Sequence, residues 1–441
     1  MIAQLAFLVV LGIFGFLIFR RIQRIKQNIH LGKSQEINDR KDERLKTMLL
    51  VAFGQKKMFK RLLPAFFHFL IYAGFILINI EVLEIVLDGL LGTHRLFAPF
   101  LGSFYTVLIS FFEILAVLVI LACVVFLIRR NIFKLDRFHK IEMKGWPTLD
   151  ANLILVIETV LMLAILSMNA ADQVLQTHGA EHYTQTGSFL ISGFMVPMFE
   201  NMSTSSLLIL ERSAWWFHIV GIFAFALYVT YSKHLHIFLA FPNTYYSRLE
   251  PKGKMGNMPE ITNEVKLMLG MPADDSVAPP VEGMKFGAKD INDLTWKNLM
   301  DAYSCTECGR CTSECPANQT GKKLSPRKIM MDTRDRMEEV GDSLAKGGKG
   351  LEDGKSLLGD YVTKEEINAC TSCNACVEAC PVNISPLEII LQMRRYVAME
   401  ESGSPQSWNM MFQNVETNFA PWKFAPTDRF NWADELKSPN A

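Results

Sequence analysis

Five apolar stretches occupy the first half of the chain, at residues 2–19, 62–87, 101–128, 150–170 and 214–240. Each is near the ~20 residues that, at 1.5 Å rise per residue, cross the hydrocarbon core of a bilayer. The pattern predicts five transmembrane helices. Beyond residue 245 no such stretch recurs, charged residues become frequent, and eight of the nine cysteines appear. A soluble domain is expected there. The 45 basic and 45 acidic side chains and the mean hydropathy of +0.16 are thus averages over two unlike halves. They exclude a small disulfide scaffold, a disordered tail and a strongly basic nucleic-acid binder, so no nucleic-acid partner is expected.

Lys and Arg are unevenly shared among the connections. Segment 20–61 holds thirteen and 129–149 holds six, whereas 88–100 holds only Arg95 and 171–213 only Arg212. The positive-inside rule puts the first two segments in the cytoplasm, the N-terminus outside, and everything after the fifth helix inside. The first stretch lacks a basic leading region and ends in Phe-Arg-Arg without a small-residue cleavage site, so a retained helix is favoured over a signal peptide.

The chain divides into a membrane domain (1–245), a Pro-, Gly- and Met-rich linker (246–287) expected to be extended, a domain at 288–402, and a tail at 403–441. The third part holds an internal repeat. Cys305-Thr-Glu-Cys308-Gly-Arg-Cys311-Thr-Ser-Glu-Cys315-Pro316 is echoed by Cys370-Thr-Ser-Cys373-Asn-Ala-Cys376-Val-Glu-Ala-Cys380-Pro381. Each copy is followed by a Ser-Pro helix start, at Ser325 and Ser385, predicting helices 326–340 and 386–401.

This spacing is that of [4Fe–4S] ligation, in which three close thiolates hold one face of a cube and the fourth cysteine of the run reaches the other cluster. The predicted sets are crossed: Cys305, Cys308, Cys311 and Cys380 for one cluster, Cys370, Cys373, Cys376 and Cys315 for the other. A reducing compartment disfavours disulfides, and zinc would need two separated Cys pairs. Cys123, inside the third apolar stretch, reads as packing. The 54 residues between Cys315 and Cys370 exceed what a compact β-hairpin ferredoxin holds. They include a capping-box start at Thr363-Lys-Glu-Glu366, so an α-helical two-cluster ferredoxin is expected and the whole fold is read as all-α. Lys322, Lys323, Arg327 and Lys328 suit either an acidic partner or, more simply, a solvated helix start.

Histidines in a membrane span are functional candidates by default. His68 falls in the second predicted helix, and His218, His234 and His236 in the fifth. His218 and His236 are 18 residues apart, five whole turns of one helix, so they would share a face about 27 Å apart along its axis. His68 and His236 would lie at similar depth on the cytoplasmic side, as axial ligands of one b-type haem. His234, on the opposite face, is the weaker candidate. For His218 no partner is visible, since the matching position on the second helix is Asn79. Three readings stay open: no second haem, a haem using His178 or His182, or a quinone pocket with His218 as hydrogen-bond donor. Glu113 and Glu158 are candidate proton carriers or simply paired carboxylates.

Trp215-Trp-Phe-His218 through Tyr231-Ser-Lys-His-Leu-His236, with His68, resembles the cytochrome b subunit of respiratory nitrate reductase. That resemblance implies five helices and one or two bis-histidine haems, although the second histidine of the family's second helix is absent here. The fusion to a two-cluster ferredoxin, with the tail Met411 to Trp432, resembles membrane iron-sulfur oxidoreductases of the heterodisulfide reductase D/E group and those that accept electrons from electron-transfer flavoprotein. The resemblance implies an electron-transfer subunit in a bacterial cytoplasmic (inner) membrane, passing electrons between a soluble donor and menaquinone or another quinone. The relatives' CCG modules are missing from this sequence, so a separate CCG-domain subunit, electron-transfer flavoprotein or a dehydrogenase is expected to dock, with membrane lipid and quinone as further partners. The competing expectations are a non-enzymatic membrane anchor or redox sensor, and a terminal haem enzyme.

Overall fold

The computed structural model describes residues 1–277 and 283–436; Pro279 and Pro280 of the expected linker lie outside them. Among the described residues there is no named strand, only two isolated bridges, and five helices are long and apolar enough to cross a membrane. They are α1 (Ile2–Ile29), α2 (Leu62–Leu91), α3 (Ser103–Asn131), α4 (Trp146–Thr177) and α5 (Thr204–Val229). An α-helix satisfies its own backbone hydrogen bonds, which a lipid-facing segment must do. Their ends are set locally: the Gly92 N–H closes α2 onto the Asp88 carbonyl with φ +72°, Gly145 (φ +77°) turns the chain into α4, and Ser203 Oγ caps α5.

The helices α2 to α5 pack in sequence order around a shared interior, and α1 lies at the rim against α2 and α5. Only 6% of the most apolar window of α1 is buried, so most of its Leu, Ile and Phe face outward, as a lipid-solvated helix requires. Close approach depends on glycine: a Cβ on Gly89 would sit 2.8 Å from the Phe7 ring, and one on Gly221 2.6 Å from Leu161. At the end of the bundle away from the cysteines, Arg95 donates to Asp172 (2.5 Å) and Asn169 (2.9 Å), and Asn169 donates to Glu113 (3.1 Å). Glu113 also accepts the Ile191 and Ser192 N–H groups, which fixes the 178–203 loop. It is a paired structural carboxylate.

The fifth predicted helix, 214–240, is two elements. Helix α5 ends at Val229, and after a single 3₁₀ turn α6 (His236–Tyr245) begins. The cause is Asp150 on α4, 2% exposed, which accepts from Tyr228 (2.5 Å), from Ser232 Oγ (2.7 Å) and from the Lys233 N–H (3.2 Å). These bonds hold residues 230–233 out of helical geometry. The linker also departs from an extended chain, because Pro259 in the first turn and Glu260 beside it start helix α7 (Pro259–Met268).

The cysteine-bearing part is built on α8 (Trp296–Tyr303), α9 (Pro326–Ala345) and α10 (Pro386–Met399). Ser325 caps α9 through the Lys328 N–H, and Thr363 and Glu366 form the reciprocal capping box. Helix α9 runs past 340 to Ala345, and α10 stops at Met399. One apolar core joins Ile25 of α1, Leu235 and Ala240 to Ile329, Met337 and Ile390. Polar clamps bind the same two halves: Arg21 to Glu338 at 2.6 Å, Asn28 to the Tyr303 hydroxyl at 2.8 Å, and Lys297 to Asn243 at 3.0 Å. In the tail, helix α11 (Gln406–Asn418) and the residues after it expose Trp408, Phe412, Phe419, Trp422 and Trp432.

Arg336 of α9 is fully buried and bridges Asp290 (2.8 Å) and Asp353 (2.5 Å), stapling the start of the domain to the 347–355 loop. Removing one partner of a buried ion pair strands the others. The Arg336→Ala variant is expected to lose about 3–5 kcal/mol of stability, seen as a lower thermal midpoint of the full chain in detergent; an unchanged midpoint would contradict this role.

Candidate redox centres

The cysteine repeat of the sequence is also a repeat of the backbone. Two residues after the first cysteine of each run, Glu307 (φ +53°) and Ser372 (φ +56°) take the left-handed conformation, and four residues after it Gly309 (φ +69°) and Asn374 (φ +62°) do the same. Each run therefore curls around its own centre. At Gly309 the turn also needs a bare backbone, because a Cβ there would lie 2.5 Å from the Arg327 guanidinium.

The structure brings Cys305, Cys308 and Cys311 together with Cys380 around one cavity, closed by Pro381, Val382 and Ile384. Cys315 leaves its own run and lies within electrostatic reach of Cys370 and Cys376, which with Cys373 form the second group. All eight are free thiols. Among the described residues no three His, Cys, Asp or Glu side chains converge tightly enough to hold a single metal ion. Sulfurs ringing a cavity, rather than meeting at a point, fit a cube of iron and sulfide better than one zinc ion. The Ile384 N–H donates to Cys380 Sγ (3.3 Å) and the Ser372 N–H to Cys370 Sγ (3.4 Å), bonds that stabilise thiolate charge. Burial pushes the Cys305 and Cys376 thiols up to about 12 and Cys380 up to about 11. Such thiols give up their protons at neutral pH to a metal, not to water.

The first cavity faces the membrane bundle. Arg310 Nη1 donates to the Lys57 carbonyl (3.3 Å), and Lys57 Nζ donates to the carbonyls of Cys380 (3.2 Å) and Val377 (3.4 Å). Lys57 is thereby tied to both runs. Two residues before it, buried Gln55 accepts from His68 Nδ1 at 3.1 Å. Gln55 and Lys57 were not singled out in the sequence, where nothing distinguishes them from the other polar residues of a basic loop.

His68 and His236 lie side by side with ring centroids 6.4 Å apart and planes tilted by 40°. A metal bound between the two rings would take one nitrogen of each, at the roughly 2.0–2.1 Å usual for a metal–histidine bond. Each Nδ1 is already engaged, His68 with Gln55 and His236 with the Lys233 carbonyl (3.1 Å), leaving both Nε2 atoms for a metal, as outer-shell bonding of ligand histidines does. Because α5 breaks, His236 is reached from the first residue of α6 and not from the face it was expected to share with His218. The break also brings His234 beside His236, at 5.4 Å, rather than onto an opposite face. Its Nε2 faces Glu158 (3.8 Å), which also accepts from Cys123 Sγ (3.3 Å), so Cys123 has a polar partner that its sequence setting did not reveal.

His218 is 1% exposed and its Nδ1 donates to the Leu161 carbonyl at 2.9 Å. No other ring stacks on it among the described residues. His178 instead bonds Thr204 Oγ1 at the surface (3.3 Å), and His182 lies in the same loop at residues 178–203. Of the basic residues beside the first cysteine run, Arg327 is fully buried on Glu142 (2.7 Å), Lys323 meets Glu365, Lys328 meets Asp332, and Lys322 is exposed.

Residues 304–384 match the family model of the 4Fe-4S dicluster domain. The chain is similar to a protein of Bacillus subtilis (strain 168) named probable iron-sulfur-binding oxidoreductase FadF, 29% identical over 96% of this chain and 59% of that protein. It is also similar to the EtfAB:quinone oxidoreductase of Syntrophomonas wolfei, 27% identical over 90% of this chain and 55% of that protein. Over 32% of its length it is 29% identical to a polypeptide of the dihydromethanophenazine:CoB–CoM heterodisulfide reductase of Methanosarcina mazei, covering 35% of that polypeptide. The chain thus spans little more than half the length of its two long relatives. No solved structure matches it. Fold and motif define a class: an all-α, membrane-associated iron-sulfur protein of electron transfer. Two of its relatives bear the names probable iron-sulfur-binding oxidoreductase and EtfAB:quinone oxidoreductase.

Replacing Cys380 with Ala is expected to destroy the cluster whose other ligands are Cys305, Cys308 and Cys311 and to spare its neighbour. Iron content and the electron paramagnetic resonance spectrum of the reduced chain measure this; loss of the other cluster alone would contradict the crossed arrangement.

Proposed function

We propose that the chain is a membrane electron-transfer subunit that passes electrons between a soluble partner and the quinone pool, through two [4Fe–4S] clusters and a b-type haem held by His68 and His236. The observation that carries the reading is the Lys57 junction: both cysteine runs of the first cavity bond to Lys57, and the same loop holds His68 through Gln55. The order is then second cluster, first cluster, His68–His236 pair, membrane. A bis-histidine b-type haem exchanges single electrons with no open site for oxygen. The chain's own residues do the positioning. Gln55 and the Lys233 carbonyl orient the two imidazoles, and burial lowers the proton affinity of His236, keeping it neutral as a ligand must be.

The excess of Lys and Arg in segments 20–61 and 129–149 supports a cytoplasmic position for the cluster domain. The names of the relatives support a quinone as the membrane partner and electron-transfer flavoprotein or a heterodisulfide-reductase-like subunit as the soluble one. The exposed aromatic residues of the tail suit such docking. His218, buried with its Nδ1 on the Leu161 carbonyl, is the candidate for a second haem or a quinone.

Purified from membranes, the chain should show a b-type spectrum that His68→Ala and His236→Ala abolish and His234→Ala retains. Quinol analogues should reduce that centre in reduced-minus-oxidised spectra. An unchanged spectrum in the first two variants would contradict the ligand pair, and clusters and haem that never respond to quinol would contradict the function.

A further inference from the structure

The two cysteine groups sit in unlike electrostatic surroundings. Around the first, on its membrane side, lie Lys57, Arg137 and Arg310, and among the described residues none of the three is within 4.0 Å of a carboxylate. Nε and Nη1 of Arg137 are buried without a hydrogen bond, the guanidinium resting 4.8 Å from the Phe138 ring. Arg137 and Arg310 both feel the charge of Cys308, and Lys57 and Arg310 that of Cys380. The nearby acids do not cancel this excess. Glu307 is held by Lys233 and Arg334, Glu378 by Lys60 and Lys252, and Glu314 by Arg61. Around the second group the corresponding cation is Arg394, which donates to the carbonyls of Ile367 (2.8 Å) and Asn368 (3.1 Å) and to Ser372 Oγ (3.2 Å), and Cys373 is exposed.

Unpaired buried guanidinium nitrogens need an anion. A [4Fe–4S] cube with four thiolates is anionic and becomes more so on reduction. Cations beside it, shielded from water, stabilise the reduced state, and net charge, hydrogen bonding and exposure are what set a cluster's potential. We propose that Lys57, Arg137 and Arg310 form a cationic collar that raises the reduction potential of the Cys305/Cys308/Cys311/Cys380 cluster above that of its neighbour, so that electrons run inward, from the soluble side to the membrane. The proposal rests on the cluster assignment above and assigns the direction that assignment leaves open. In the step itself one electron leaves the reduced second cluster and enters the oxidised first; a reduced soluble protein supplies it and the membrane acceptor removes it.

The test is a potentiometric titration of the intact chain in detergent, followed by electron paramagnetic resonance, with the two signals assigned by Cys373→Ala. The wild-type first cluster should be reduced at the higher potential. Arg137→Gln and Arg310→Gln should each shift it downward and leave the second unmoved, whereas Arg394→Gln should shift only the second. Arg310→Lys, which keeps the charge and loses the guanidinium geometry, should restore the first. A first cluster that titrates below the second, or that ignores both Gln variants, would overturn the collar while leaving the clusters in place. Absence of cluster signals in the wild type would overturn both readings.

Discussion

The exchange of the fourth cysteines is the constraint on which the cluster domain depends. Cys315 and Cys380 each leave their own run for the other, so the two groups cannot form separately. The helices α9 and α10, which follow the two runs, are packed together as a consequence, with Ile329, Met337 and Ile390 between them. The left-handed residues at matched positions make each run a tight cup, and Gly309 has no room for a side chain. Chain entropy is high for a loop of this length, and ligation of a shared pair of clusters would offset it as metal sites do in other small domains.

The second constraint is the seam between lipid and water. Apolar helices solvated outward cannot by themselves orient a polar domain, and here the Lys- and Arg-rich loops do so. Lys57 and Arg61 reach the cysteine runs, the Arg137 carbonyl and Glu142 hold Arg327 of α9, and Asn28 and Arg21 of α1 reach α8 and α9. The result is a continuous core from Ile25 to Ile390 rather than two bodies on a string. Asp150 belongs to the same seam. By gathering Tyr228, Ser232 and Lys233 it ends α5 early and swings His236 toward His68.

Much of this was legible in the sequence because its cause is local. Five apolar runs, the cysteine spacing, the Ser-Pro helix starts and the Thr363 capping box each declare themselves within a few residues. What could not be read depends on partners distant in the chain. Nothing near residue 230 announces a helix break, since the residue responsible is Asp150, some 80 positions earlier. Glu113 reads in the sequence as a proton carrier or a paired carboxylate and Cys123 as packing, and their partners are backbone N–H groups of the 178–203 loop and a carboxylate on α4. Gln55 and Lys57 gain meaning only when the cysteine runs and His68 fold against them. Hydrophobic periodicity carries no information about such pairings.

The central claim is that electrons cross from the clusters to quinone by way of the His68–His236 pair. Mixing the pre-reduced chain in lipid with a menaquinone analogue, and following the clusters by freeze-quench electron paramagnetic resonance, tests it most directly. The account predicts that the clusters reoxidise in the wild type and stay reduced in His68→Ala with both clusters still assembled. Equal reoxidation in the two would contradict it.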